Sequence, residues 1–175
     1  MLLTYFQTAP RRVLALVSLA CVAMLVFGLY LQHVVGLEPC PMCIVQRYAL
    51  LLVALVSGIT ACFSKPWLLL VGTAKTLLLA GFGAFVAARQ SFLQWYPPQE
   101  ASCGRDFYGM IEMFPLQRVI PMIFKGSGDC SKVDGTFLGL SIANWSFLCF
   151  VGIALLMLAL LLSRVRAAGF SPAPG

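Results

Sequence analysis

Four long apolar segments constrain the fold of this chain more than any other feature of its sequence. They cover residues 13–31, 44–63, 66–88 and 145–163. At 1.5 Å per residue the first spans roughly 28 Å, which is enough to cross the hydrocarbon core of a bilayer. The chain is 61% hydrophobic and 10% charged, whereas a soluble domain is about half apolar and about a quarter charged. The sequence therefore predicts an all-α integral membrane protein, a four-transmembrane-helix bundle forming a single domain over residues 1–175.

The first apolar segment could also belong to a cleaved signal peptide, because Arg11 and Arg12 precede it. It is long for the apolar part of such a peptide, and no A-x-A cleavage site is evident. Three further apolar segments follow it. We therefore interpret residues 13–31 as the first transmembrane helix.

The basic residues indicate how the helices are oriented. The net charge of +6 could suggest a nucleic-acid partner, but the Lys and Arg residues do not cluster into a patch. They lie mostly at the ends of the apolar segments, as Arg11, Arg12, Lys65, Arg164 and Arg166 do. Cytoplasmic segments carry an excess of Lys and Arg. We therefore expect cytoplasmic termini, outward-facing loops at residues 32–43 and 89–144, and no nucleic-acid partner.

The second outward loop is unusually long, and long loops are often functional. Its apolar-rich stretch from Phe107 to Phe124 is interrupted by Pro115 and Pro121. Such a stretch can lie along the membrane surface as a short interfacial helix. We expect it to hold the loop against the bilayer.

The first outward loop ends in a C-x-x-C motif, Cys40-Pro41-Met42-Cys43. This spacing is typical of a redox pair or of half a metal site. A four-thiolate zinc site would need a second such pair, which the chain lacks, so we expect no metal. A structural disulfide between Cys40 and Cys43 remains the simpler alternative.

The position of Cys43 favours redox chemistry. It lies where the second helix is predicted to begin, and the backbone amides of a helix start favour a thiolate. Arg47 follows four residues later, on the same helical face. A cation there also favours the anion, although an arginine near a helix end can simply extend to the membrane interface.

Two further cysteines, Cys103 and Cys130, lie in the second outward loop among small polar residues. They could form a structural disulfide, or an accessible disulfide that exchanges with other thiols. Two cysteine pairs on one side of a membrane suggest a thiol relay. The chain has no haem-attachment motif and no flavin motif, so the expected electron acceptor is a membrane quinone. The remaining cysteines lie in apolar segments and are expected to pack there as small hydrophobes: Cys21, Cys62 and Cys149.

These features together resemble the DsbB family of bacterial disulfide bond formation proteins. The similarity covers nearly the whole chain. It comprises Gln32-His33-Val34, Glu38-Pro-Cys-Pro-Met-Cys43 with Arg47, Leu93-Gln-Trp-Tyr-Pro97, Cys103, Gly128-Asp-Cys130, Phe137-Leu-Gly-Leu140 and Trp145. Four cysteines at these places among four spans make the resemblance specific.

The resemblance implies an inner-membrane enzyme that reoxidises a DsbA-like periplasmic protein of thioredoxin fold. The electrons would pass to ubiquinone or menaquinone. Cys103 would form the mixed disulfide with the partner, and Cys130 would exchange with Cys40. Cys43 would be the thiolate that meets the quinone, with Arg47 stabilising the charge-transfer state between them.

One position departs from the family pattern. Some members carry a histidine where this chain has Gln90, and a glutamine cannot act as an acid or a base. The sequence therefore does not assign Gln90 to the quinone pocket, and it gives His33 and Lys75 no role. Two other functions remain open: a relay that exports reductant, and a non-catalytic membrane scaffold with structural disulfides.

Overall fold

Four long helices dominate the computed structural model, which describes residues 10–36, 40–96, 136–137 and 139–169. They are α1 (Pro10–His33), α2 (Pro41–Cys62), α3 (Pro66–Trp95) and α4 (Ile142–Gly169), with the short strands β1 (Thr136–Phe137) and β2 (Leu140–Ser141) before α4. Even the shortest helix, with 22 residues, extends roughly 33 Å and can cross a bilayer. The predicted all-α membrane protein with four transmembrane helices is confirmed.

Proline marks the beginning of three helices. Pro10, Pro41 and Pro66 are the first residues of α1, α2 and α3. The amide of the first helical residue has no partner within the helix, and the ring of proline presets the helical φ angle. These prolines therefore place the helix starts without costing a hydrogen bond.

The long loop is shorter at both ends than the sequence predicted. The predicted loop 89–144 was wrong at its boundaries, since α3 continues through Trp95 and α4 begins at Ile142. A charge at Arg89 ends an apolar run, but it does not interrupt backbone hydrogen bonding. The Arg89 guanidinium instead lies 5.6 Å from the centre of the Phe92 ring. The predicted interfacial helix, residues 107–124, lies outside the described residues.

Consecutive helices pack against each other in antiparallel order. The Arg11 side chain of α1 donates to the Ala61 carbonyl near the end of α2, and Ser18 donates to Ala54. One end of the bundle, here called the basic end, contains Arg11, the Lys65 turn and Arg166. The opposite end, here called the cysteine end, contains His33, Cys40, Trp95 and Ile142.

The core of the bundle receives side chains from all four helices. Its largest cluster contains Leu14 and Val17 of α1, Val53 of α2, Ala80 of α3 and Met157 of α4. The hydroxyl groups of Ser57, Thr60, Thr73 and Thr76 donate to carbonyls within their own helices. Because the bilayer offers no water, these bonds satisfy the four hydroxyl groups within the helices.

A small hairpin fixes the start of α4 at the cysteine end. Thr136 pairs with Ser141, and Gly139 turns the chain with a φ angle of 78° that favours glycine. The Ser141 hydroxyl accepts the Asn144 amide of the first helical turn and donates to Gln94 of α3 at 2.6 Å. This cap joins the beginning of α4 to the end of α3.

Candidate functional site

The C-x-x-C motif forms the beginning of α2. Cys40 is the residue that caps the helix, with extended backbone angles, and its Sγ accepts the Cys43 amide at 3.4 Å. The Cys40 and Cys43 sulfur atoms lie 3.0 Å apart. A disulfide requires about 2.05 Å, so the two sulfurs can be joined without moving the helix. The positive end of α2 therefore acts directly on Cys40 as well as on Cys43.

The side-chain amide of Gln90 contacts both sulfurs from α3. Its Nε2 donates to Cys43 Sγ at 3.2 Å and to Cys40 Sγ at 3.3 Å. The Gln90 Oε1 lies 3.7 Å from Cys43 Sγ, within reach of a thiol proton. One side chain can thus bind either protonation state of Cys43.

A second glutamine holds this amide in place. Gln46, one turn into α2 from Cys43, donates from Nε2 to Gln90 Oε1 at 2.6 Å. Both glutamines are nearly inaccessible, with 5% and 4% of their surfaces exposed. A hydrogen bond that occupies the Gln90 oxygen leaves the Nε2 group directed to the sulfurs.

Arg47 lies near the motif, and its hydrogen bonds connect α2 to α1. The guanidinium donates from Nη1 to the Gln32 side chain and from Nη2 to the Gly28 carbonyl at 3.0 Å. Arg47 is half-buried, so its position is set by these α1 groups rather than by free extension to the interface. Cys43 and Arg47 share a helical face as predicted, while Gln90 reaches Cys43 from α3.

Apolar packing surrounds the sulfurs. Met42 and Val86 are fully buried beside Cys40, and Leu93 of α3 closes the cluster. Cys43 is half-buried at the edge of this cluster. Hydrogen bonds in such surroundings are electrostatically stronger than in water. The site therefore combines a half-buried Cys43 sulfur with hydrogen-bond donors that lie among buried apolar side chains.

Only half of the predicted cysteine relay can be located. Cys103 and Cys130 lie outside the described residues, and their roles stay predictions.

His33 is exposed at the end of α1, and Lys75 is exposed in a groove between α2 and α3. Of the apolar-segment cysteines, Cys21 is fully buried and Cys149 is half-buried, whereas Cys62 is exposed near the basic end, so the packing prediction was wrong for Cys62.

Gln46 and Gln90 were not predicted as site residues from the sequence, and the structure places both of them beside the cysteine pair. An amide within an apolar transmembrane helix is costly unless it finds a partner. Two such amides on consecutive helices are therefore a signal of mutual contact. Because the third span was predicted to end at residue 88, Gln90 was assigned to a loop and this signal was missed.

Known proteins similar to this chain share one description. A family model, Disulfide bond formation protein DsbB, matches residues 10–160. A Disulfide bond formation protein B from Polaromonas sp. strain JS666 is 76% identical over 166 residues, 95% of this chain and 99% of the relative. The protein of that name from Paracidovorax citrulli is 64% identical, covering 99% of this chain and 100% of the relative. The one from Azoarcus sp. strain BH72 is 52% identical, covering 88% and 94%. With its four helices and its ordered cysteine pair, the chain belongs to the DsbB family of disulfide bond formation proteins.

Proposed function

We propose that this chain is a membrane thiol oxidase that reoxidises a DsbA-like dithiol protein and passes the electrons to ubiquinone or menaquinone. One observation carries the proposal: the sulfurs of Cys40 and Cys43 lie 3.0 Å apart at a helix start, with a buried amide donor directed to both. A purely structural disulfide needs no such donor, because a disulfide carries no charge. Thiolate intermediates do need one.

The exchange sequence starts at the loop pair. A partner thiolate attacks Cys103 of a Cys103–Cys130 disulfide, and Cys130 leaves as a thiolate. The Cys130 thiolate then attacks Cys40 of a Cys40–Cys43 disulfide, and Cys43 leaves as a thiolate. The partner's second thiolate attacks the mixed disulfide, which completes the partner's own disulfide and releases the Cys103 thiolate. Cys103 then attacks Cys130, which re-forms the Cys103–Cys130 disulfide and leaves Cys40 and Cys43 reduced. One partner disulfide is formed for each membrane pair reduced.

The described residues support the departure of Cys43 as an anion. Gln90 Nε2 donates to its sulfur at 3.2 Å, and the start of α2 contributes the positive end of the helix dipole. Both are in place before the charge develops. Preorganised donors of this kind lower the free energy of a charged intermediate without reorganisation.

A quinone would supply the two-electron acceptor that returns Cys40 and Cys43 to the disulfide. Cys43 and Arg47 are the residues we propose to hold it. Arg47 carries five N–H donors and is held half-buried by Gln32 and Gly28. A cation held one helical turn from a half-buried thiol suits a carbonyl oxygen that gains negative charge, so the residues present fit this group.

The proposed location is the bacterial inner membrane, with the cysteine end facing the periplasm and both termini in the cytoplasm. Arg11, Lys65 and Arg166 are all exposed at the basic end. An excess of basic residues marks the cytoplasmic side. A DsbA-like protein in the periplasm would then reach the cysteine end directly.

Quinone absorbance tests this function. The protein, purified with bound quinone and mixed with the reduced DsbA-like partner, should bleach the quinone as partner disulfides form. Cys43→Ser should abolish bleaching, whereas Cys62→Ser, which changes an exposed thiol near the basic end, should bleach at the wild-type rate. If absorbance never changes and the cysteines remain oxidised, the proposal fails and the scaffold alternative stands. Net reduction of an oxidised partner by quinol would instead favour the reductant-exporting relay.

A further inference from the structure

Two buried amides lie side by side between α2 and α3, next to the redox pair. Gln46 Nε2 donates to Gln90 Oε1 at 2.6 Å. Only 5% of Gln46 and 4% of Gln90 is exposed. Away from water an unmade amide hydrogen bond is costly, so the Gln46 donor stabilises the orientation in which Gln90 Oε1 faces Gln46.

That orientation decides what the sulfurs meet. With its oxygen occupied by Gln46, Gln90 presents Nε2 to Cys40 and Cys43 at 3.3 Å and 3.2 Å. A carboxamide nitrogen has two N–H donors, which is enough for one donor to each sulfur. A glutamine does not titrate, so it stabilises a thiolate without supplying a proton that would neutralise it.

We propose that Gln46 is a positioning residue for the redox pair, which acts by holding the Gln90 amide with its donor group toward whichever sulfur carries negative charge. The inference rests on the proposed thiol oxidase function for its place in the reaction. In that sequence the charge develops on Cys43 when Cys130 attacks Cys40. It develops on Cys40 when the Cys103 thiolate attacks Cys130 of the Cys130–Cys40 disulfide and Cys40 leaves. One donor serves both steps because it lies within reach of both sulfurs.

Alkylation of Cys43 tests the proposal without partner protein or added quinone. In the full chain carrying Cys40→Ser, the rate at which iodoacetamide modifies Cys43 is followed by mass spectrometry of the Cys43 peptide. The pH is chosen where the wild-type rate still rises with pH, so that the rate follows the thiolate fraction. Gln46→Met keeps the side-chain volume and removes the amide.

The expected effect follows from two opposing terms. Loss of a hydrogen bond to a charged group lowers the thiolate fraction by about ten- to a hundredfold. A less stabilised thiolate is also a stronger nucleophile, and this offsets about half of the loss in alkylation rate on a logarithmic scale. Gln46→Met should therefore slow the alkylation of Cys43 by about three- to tenfold.

A double-variant cycle separates positioning from a purely structural role. Gln90→Met should slow alkylation at least as much as Gln46→Met, and the two changes together should slow it no further than Gln90→Met alone. Ser18→Ala removes a different hydrogen bond between helices, from Ser18 to the Ala54 carbonyl at 2.8 Å, and should leave the rate unchanged.

The outcomes are distinct from those of the proposed function. Wild-type alkylation rates in Gln46→Met, or additive effects of the two glutamine changes, would overturn the positioning role even if the protein bleaches quinone. Failure of the wild-type protein to bleach quinone would overturn the oxidase function and leave the alkylation result standing as a property of the site. An equal slowing in Ser18→Ala would show a general loosening of the bundle and would also reject the proposal.

Discussion

The contact between Gly83 of α3 and Phe150 of α4 determines how closely these two helices approach. A Cβ atom added at Gly83 would overlap the Phe150 ring. The ring is fully buried and packs with Ala49 and Ala87. We therefore expect Gly83→Ala to force α3 and α4 apart, even though alanine is the better helix former.

The magnitude follows from a comparison with a neighbouring glycine. Overpacking of a filled core costs about 1–3 kcal/mol, while alanine gains about 0.5–1 kcal/mol over glycine in a helix. Gly81 lies two residues away, and a Cβ added there meets nothing within 4 Å. Gly81→Ala should therefore stabilise the protein by about 0.5–1 kcal/mol. The two variants should differ in free energy of unfolding by about 1–3 kcal/mol, which is the packing term alone.

Unfolding by sodium dodecyl sulfate in mixed micelles, followed by circular dichroism, measures this difference. Phe150→Leu reduces the ring to a smaller side chain and should relieve the overlap, so that Gly83→Ala costs less in its presence. Equal stability of the two alanine variants would contradict the packing argument. So would a cost of Gly83→Ala that is the same with and without the Phe150 ring.

Three further perturbations test other parts of the protein. Arg47→Lys keeps the charge but loses the planar donor group, so quinone bleaching should slow by about tenfold. Arg47→Met should slow bleaching further, and a wild-type bleaching rate in Arg47→Met would show that Arg47 is not part of the acceptor site. Ser141→Ala removes the cap of α4 and should lower the free energy of unfolding by about 1 kcal/mol, whereas an unchanged midpoint in thermal unfolding would argue against the cap. Cys130→Ser leaves Cys103 as a thiol, which should attack the disulfide of the oxidised partner and hold that partner in a mixed disulfide; absence of this complex from a non-reducing gel would contradict Cys103 as the cysteine that meets the partner.

Helix boundaries show where sequence reasoning loses accuracy in this chain. Apolar run length predicts the four spans because it reflects transfer into lipid, but it does not report where backbone hydrogen bonding stops. Arg89 ended the third predicted span, although α3 continues to Trp95. Gln90 lies in the part of α3 that was not predicted, so the error at the helix boundary also left Gln90 out of the predicted site.

Contacts between helices account for the other differences. Cys43 and Arg47 lie on one face of α2 by spacing alone, and that much was predictable. Which side chains meet them depends on the neighbouring helices: Arg47 donates to Gln32 and Gly28 of α1, and Cys43 meets Gln90 of α3. No spacing within α2 contains this information.

The sequence by itself determined the membrane architecture and the C-x-x-C motif at the start of α2. These follow from local properties: apolar length, proline at a helix start, and cysteine spacing. Only the tertiary structure decided that the sulfurs share one amide donor and that Gln46 holds it. Residues 46 and 90 are far apart in the chain and meet only because α2 and α3 pack antiparallel. In a medium without water, their hydrogen bond is then the favourable way to bury both amides.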